Sequence, residues 1–284
     1  MKKKIVALAL VGAMAMALTA CGSSTSDTES AADEESTSDA SDETSDAESD
    51  MAYVQEKGTL VVGITDFEPM DYKDESGNWI GFDADMAALF AEELGVDVEF
   101  MEIDWDNKVL ELDANTIDCV WNGMTLTDEV TSSMECSDAY CNNAQVVIVP
   151  SAIEADCQDV ESLKDMNFAV ESGSAGAEQA EANGLTYTEV TSQASALMEV
   201  AAGTCDGAII DSLMAAAMVG EGTSYADLTY TIGLNSEEYG VGFRKGSDLA
   251  EKLNEFLAAK YEDGTIQEVA ETYGITAALV DFSA

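Results

Sequence analysis

The chain has 284 residues, with 57 Asp or Glu against only 11 Lys or Arg, a formal net charge of -46 at pH 7. So acidic a chain repels phosphate backbones and anionic headgroups, which removes nucleic acid as a partner and charge-driven adsorption to a membrane. Histidine is absent from the sequence, so Ser-His-Asp chemistry, Cys-His chemistry and the commonest zinc ligand are excluded together, and no metal or other cofactor is expected.

The N-terminus places Lys2, Lys3 and Lys4 ahead of an apolar run from Ile5 to Leu18. That run is shorter than the roughly 20 residues of a permanent span and ends in small residues, so 1–20 reads as a cleaved export signal. Leu18-Thr19-Ala20-Cys21 resembles the lipobox of bacterial lipoproteins, which implies acylation of Cys21 and its exposure as the new N-terminus. From Gly22 to Asp50 there is no basic residue, no aromatic residue and no aliphatic residue larger than Ala. Such a segment has nothing to bury and its like charges repel, so 21–52 is expected to be a disordered acidic tether.

Beyond the tether the composition is that of a folded protein, and strands alternate with helices. Thr59 to Ile64 is β-rich; Met86, Leu89, Phe90 and Leu94 then fall on one helical face that Gly95 stops. Val96, Val98 and Phe100 alternate as a strand, a helical segment covers Lys108 to Leu112, and Ile117 to Trp121 reads as a buried strand. Thr127 is placed to cap a helix, and Ala144 to Val149 forms a strand ending at Pro150. The theme repeats with strands at Phe168 to Val170, Thr186 to Val190, Ala208 to Ile210 and Leu228 to Thr231. Helices begin at Gly176, after Ser192 and after Asp211. Tyr239 to Phe243 returns as a strand, followed by helices from Ser247 to Lys260 and Ile266 to Tyr273. This alternation demands sheets covered on both faces, hence an α/β fold.

Setting Cys21 aside, Cys119, Cys136, Cys141, Cys157 and Cys205 are odd in number and show no CxxC spacing, so neither a metal cluster nor a disulfide framework is signalled. Cys119 and Cys205 lie in apolar runs and read as small buried hydrophobes. A bridge between Cys136 and Cys141 and free thiols are both open.

Six segments in order carry a family resemblance: GTLVVGITDFEPMDY, GFDADMAALFAEELG, IDCVWNGMTLTDEV, FAVESGSAG, CDGAIID and EEYGVGFRKGS. Together, over about Lys57 to Gly274, they resemble the polar amino-acid-binding family of bacterial extracellular solute-binding proteins that serve ABC transporters. The resemblance implies a two-lobed periplasmic-binding-protein-like fold of type II with two hinge crossings, near Tyr140 to Val146 and Tyr239 to Phe243. It assigns 53–144 to the first part of lobe 1, 145–238 to lobe 2, and 239–284 to the return strand and completion of lobe 1.

Carried over by position, the resemblance places Phe67 and Trp105 as aromatic covers over the ligand. Asn122, Gly123 and Thr125 become its strand-end contacts, and Ser172, Gly173, Ser174 and Ala175 an amide-rich turn. Asp211 becomes the partner of an α-ammonium, and Glu171 stands where some relatives place a lysine. Plain alternatives exist: core packing for Phe67 and Trp105, an N-cap for Asp211. Trp121 is assigned to the cleft with the alternative that it packs behind it, since neighbours on a strand face opposite ways.

One departure stands out. The family's carboxylate-clamping arginine is replaced by Val130, and the sole arginine, Arg244, lies elsewhere in the sequence. With Asp66, Glu68 and Asp71 around Phe67, the cleft is expected to be negative and to lack a fixed cation, which favours an amine-bearing solute. The function implied is that of an ABC importer's solute-binding subunit, not an enzyme. It would be a monomer on the outer face of the bacterial cytoplasmic membrane, anchored through Cys21 and handing its solute to a permease. The alternatives are a dehydratase-like enzyme on the same scaffold and a ligand-sensing module.

Overall fold

The computed structural model describes residues 49–282, so the signal, Cys21 and nearly all of the tether lie outside the described residues. The first element is helix α1 (Asp50–Lys57), capped by Ser49 Oγ, which accepts from Ala52 N at 3.0 Å. Tether composition through residue 52 predicts no structure there, yet folded structure begins at Ser49. Arg244 Nε reaches both carboxylate oxygens of Asp50 at 3.1 Å, and Asp248 accepts from Met51 N at 2.9 Å. Partners nearly two hundred residues away hold the segment, which no local reading detects.

Strand β1 (Thr59–Ile64) leads through a short ribbon of β2 (Tyr72–Lys73) and β3 (Trp79–Ile80) to helix α2 (Phe82–Leu94). Met86, Ala87, Phe90 and Leu94 bury one face of α2, and Gly95 ends it in the left-handed region at φ 77°. β4 (Asp97–Glu102), α3 (Lys108–Asp113), β5 (Cys119–Thr125), α4 (Asp128–Ser133) and β6 (Glu135–Cys136) follow. β7 (Cys141–Asn143) and β8 (Gln145–Pro150) cross into the second lobe. That lobe comprises β9 (Asn167–Glu171), α5 (Ala175–Ala182), β10 (Thr186–Val190), α6 (Gln193–Ala202), β11 (Gly207–Asp211), α7 (Ser212–Met218) and β12 (Leu228–Gly233). β13 (Glu237–Phe243) returns, and α8 (Leu249–Asp263) and α9 (Thr265–Thr272) complete the first lobe.

The first sheet runs β4-β1-β5-β13-β6, with β7 also paired to β13. β1 is parallel to β4 and β5, while β13 is antiparallel to β5, β6 and β7. The second sheet runs β10-β9-β11-β8-β12, parallel among β9, β10 and β11 and antiparallel where β8 meets β11 and β12. Two α/β lobes are thus joined by two crossing strands, β7–β8 and β13, which pair where Cys141, Asn142 and Asn143 oppose Tyr239, Glu238 and Glu237. The pattern Ile117 to Trp121 places β5 two residues too early. Its later residues are strand because β13 pairs with them as far as Thr125.

The five described cysteines are free thiols. Cys136 pairs opposite Gly242 and Cys141 opposite Tyr239 on the same strand. Three residues along a strand is roughly 10 Å, beyond the reach of a disulfide.

Candidate functional site

Parallel strands point their carboxyl ends, and the helices that follow point their N-termini, toward the space between the lobes. A cleft of about 270 Å³ lies there, the scale of one small solute. Phe67, Trp105, Asn122, Gly123 and Thr125 line it from the first lobe, and Glu171, Ser174, Ala175 and Asp211 from the second. They come from the ends of β1, β4, β5, β9 and β11 or the turns after them, which is why residues up to 144 positions apart in sequence meet.

Phe67 is 2% exposed and is fixed by a tight loop in which Phe67 N donates to Asp71 O at 2.7 Å. Its ring lies over Gly123: a Cβ there would stand 2.6 Å from Phe67 Cε1, and Gly123 has φ 55°. Glycine is therefore required twice over, by conformation and by contact. Trp105 opens the short helical turn before α3 and keeps 8% of its surface exposed. Trp121 does not reach the cleft. It is fully buried in the core of the first lobe, edge-on to Phe90 and Tyr140, because alternation along β5 turns it away from the face that Asn122 presents.

Asn122 lines the cleft, but its side chain is already engaged. Its Oδ1 accepts from Thr65 N and Oγ1, and its Nδ2 donates to Thr65 O and to Asp71 Oδ2 at 2.8 Å. It is a brace between β1 and β5, not a free recognition group. Thr125 Oγ1 donates to Glu237 Oε1 at 3.0 Å, which leaves the hydroxyl oxygen as an acceptor. Beneath the cleft Asp83 accepts from Gly123 N and the Tyr140 hydroxyl, and burial pushes its carboxyl up to about 7 in spite of those bonds. Of the three acids expected to make the Phe67 loop negative, Asp71 is buried under Asn122, and Asp66 and Glu68 do not line this cleft. The acids that line it are Glu171 and Asp211, both buried, and the exposed Asp106, Glu129, Glu178, Glu181 and Glu189.

On the second lobe Ser174 caps α5, accepting from Ala177 N at 3.3 Å, and so aims the first amides of that helix at the cleft. Ser172 N and Ser174 N are engaged by Val190 O and Glu171 O, so the turn offers fewer free amides than its sequence implies. Asp211 sits at the N-cap position of α7 yet makes no side-chain cap bond. Its carboxylate accepts instead from Gln145 Nε2 at 2.9 Å, the Tyr239 hydroxyl at 2.7 Å, Asn143 Nδ2 and Gln193 Nε2. Glu171, 3% exposed at the end of β9, has an Oε1 without any hydrogen-bond partner. Burial pushes both carboxyls up to about 8, Glu171 further by the charge of Asp211 and Asp211 further by that of Glu237.

The structure brings in Lys108, which the sequence pattern leaves as a plain helical residue. It lines the cleft and is 8% exposed, which corrects the expectation of a cleft without a cation. Its Nζ donates to Trp105 O at 3.3 Å and, across the lobes, to Gly173 O at 2.9 Å, and it stands 5.0 Å from the Trp105 ring centroid. Burial pulls this amine below the ordinary lysine value, opposed by the charges of Glu171, Glu129, Asp106 and Glu178. The i, i+3 spacing of Trp105 and Lys108 is the one local sign that they share a face. Arg244 is held far from the cleft by Asp50 and by Ile117 O at 2.8 Å.

No helix among the described residues is long and apolar enough to cross a membrane. The L-cystine-binding protein TcyJ of Escherichia coli K12 is 28% identical over 224 residues, covering 78% of this chain and 84% of that protein. The arginine-binding extracellular protein ArtP of Bacillus subtilis is 28% identical over 280 residues, covering 95% and 98%. Among solved structures, the ancestral amino acid-binding protein AncCDT-1, a precursor of cyclohexadienyl dehydratase, superimposes with a TM-score of 0.72. It is 30% identical, over 79% of this chain and 99% of that one. The family model described as bacterial extracellular solute-binding proteins, family 3, matches residues 60–276, so with two lobes, two crossings and a cleft between them, the chain belongs to that family.

Proposed function

We propose that this chain is the capture subunit of an ABC importer, closing its lobes over a small solute with a positively charged amine, an amino acid or a related amine. The observation that carries the amine is the unpartnered Glu171 Oε1, buried beside Asp211 at the end of a cleft roofed by Phe67 and Trp105. A buried carboxylate oxygen without a donor is a place for a donor, and a cation there would relieve both acids. In this reading the rings hold the solute's body, Asp211 and Glu171 its amine, and the Ser174 hydroxyl with the Ala175 amide at the start of α5 an oxygen. Relatives named as binding proteins for cystine and arginine support an amino-acid-like solute.

Capture without turnover is the role we assign. The relatives' names support it, although one structural neighbour is described as a dehydratase precursor. Residues 53–144 with 239–284 form one moving lobe and 145–238 the other in this reading. Acylation at Cys21 and the acidic tether hold a monomer at the outer face of the cytoplasmic membrane, within reach of the permease. Calorimetric titration with cationic, neutral and acidic amino acids, simple amines, and amine-free carboxylic acids and sugars tests the proposal. Binding confined to amine-bearing solutes, recovered unchanged after incubation, is the expected result; tight binding of an uncharged or purely anionic solute, or its conversion, would overturn it.

A further inference from the structure

Lys108 is a buried cation with two carbonyl partners, Trp105 O and Gly173 O, and no carboxylate within 4.0 Å among the described residues. An ammonium has three donors, so one is left over, and a buried charge without a counter-charge in contact is costly. Four acids act on it only from a distance. Among the described residues no other Lys or Arg lines the cleft. The cation is also the link between the lobes at this point: Gly173 comes so close that a Cβ on it would stand 2.7 Å from Asp106 Oδ1. A group that binds in the cleft and satisfies the third donor would hold the latch in place.

We propose that Lys108 is both the inter-lobe latch and the anchor for an anionic group of the solute, so that the cleft selects amine-bearing solutes that also carry a carboxylate, amino acids over bare amines. This rests on the amine-bearing reading above and narrows it. Carbonyl contacts to Trp105 and Gly173 fix the ammonium, the fold keeps water from it, and a carboxylate closing onto it gains a charge-assisted bond that a decarboxylated amine does not make. Closure and recognition of the carboxylate then depend on the same atom.

The test is calorimetric titration of the full chain and of Lys108→Met and Lys108→Arg variants with matched pairs: arginine and agmatine, lysine and cadaverine, histidine and histamine. The unmodified chain is expected to prefer the amino acid of a pair by about 30-fold or more, the scale of a desolvated charge contact. Lys108→Met should shrink that preference to a few-fold, with any loss of latching lowering both members of the pair alike, while Lys108→Arg keeps most of it. Circular dichroism and thermal unfolding of the variants establish that they are folded. A preference that survives Lys108→Met, or equal binding of amine and amino acid by the unmodified chain, overturns the anchor and leaves the amine reading standing. Failure of every amine-bearing member to bind the unmodified chain overturns both.

Discussion

The Tyr239 hydroxyl donates to Asp211 Oδ1 at 2.7 Å, and so ties the returning hinge strand to a carboxylate at the floor of the cleft. β13 and β7 pair directly at this point, with Tyr239 opposite Cys141. A solute that pulls on Asp211 therefore acts on the crossing itself. Tyr239→Phe is expected to reduce stability by about 1 kcal/mol, the net worth of one buried hydrogen bond. It should weaken solute binding by about 5- to 10-fold, read by urea unfolding and titration calorimetry, because Asp211 loses one of the donors that fix it. Unchanged affinity would mean that the amides of Asn143, Gln145 and Gln193 alone position Asp211.

The pH dependence has a definite sign. Glu171 and Asp211 rise from the ordinary carboxylate range to about 8 in the folded protein, and Asp83 to about 7, burial being the first cause in each. Between about 4 and about 8 the folded chain thus keeps protons that the unfolded chain has released, so their contribution favours folding at low pH and is lost as pH rises. The thermal midpoint of the solute-free protein should fall across that window, and Glu171→Gln with Asp211→Asn should flatten the fall. An amine pairs with the ionised acids, so its affinity should climb toward pH 8 with release of protons, seen as a dependence of the calorimetric heat on the buffer. Proton uptake on binding would contradict this assignment.

Gly173 has φ +67° and lies against Asp106 of the opposite lobe. Gly173→Ala puts a methyl group 2.7 Å from Asp106 Oδ1 and 2.9 Å from Asp106 Cα, and its left-handed backbone adds about 1 kcal/mol of local strain. Affinity is expected to drop about 10-fold or more for every solute, with incomplete contraction in small-angle scattering at saturating ligand. A variant that closes normally would show that the lobes meet elsewhere.

Arg244 tests a part of the molecule remote from the cleft. It joins Asp50 of α1 to Ile117 O and stands 3.6 Å from the buried Asp118, which Lys57 also contacts. Arg244→Met removes the cation from this group and is expected to destabilise the protein by about 3 kcal/mol in urea unfolding, since it leaves buried acid under-compensated. Solute affinity should be unchanged, and a parallel loss of binding would link α1 to the cleft.

Local chemistry explains what the sequence determined by itself. Periodicity and punctuation place most elements: Gly95 after Leu94, Thr127 ahead of Val130, and Ser192 ahead of Ser195 act through neighbours within four residues, so their effect is written in order along the chain. The motif segments likewise indicate Phe67, Gly123, Glu171 and Asp211, which the fold gathers around one cleft. What the tertiary structure decided concerns partners that are distant in sequence. Asn122 is spent on Thr65 and Asp71, Trp121 is turned into the core, Asp211 is a hub for four donors in place of a helix cap, and Asp50 is ordered by Arg244. Lys108 shows the difference most directly: its place on a helical face follows from spacing, but its role as a buried cation depends on Gly173 approaching from the other lobe, and only folding sets that distance.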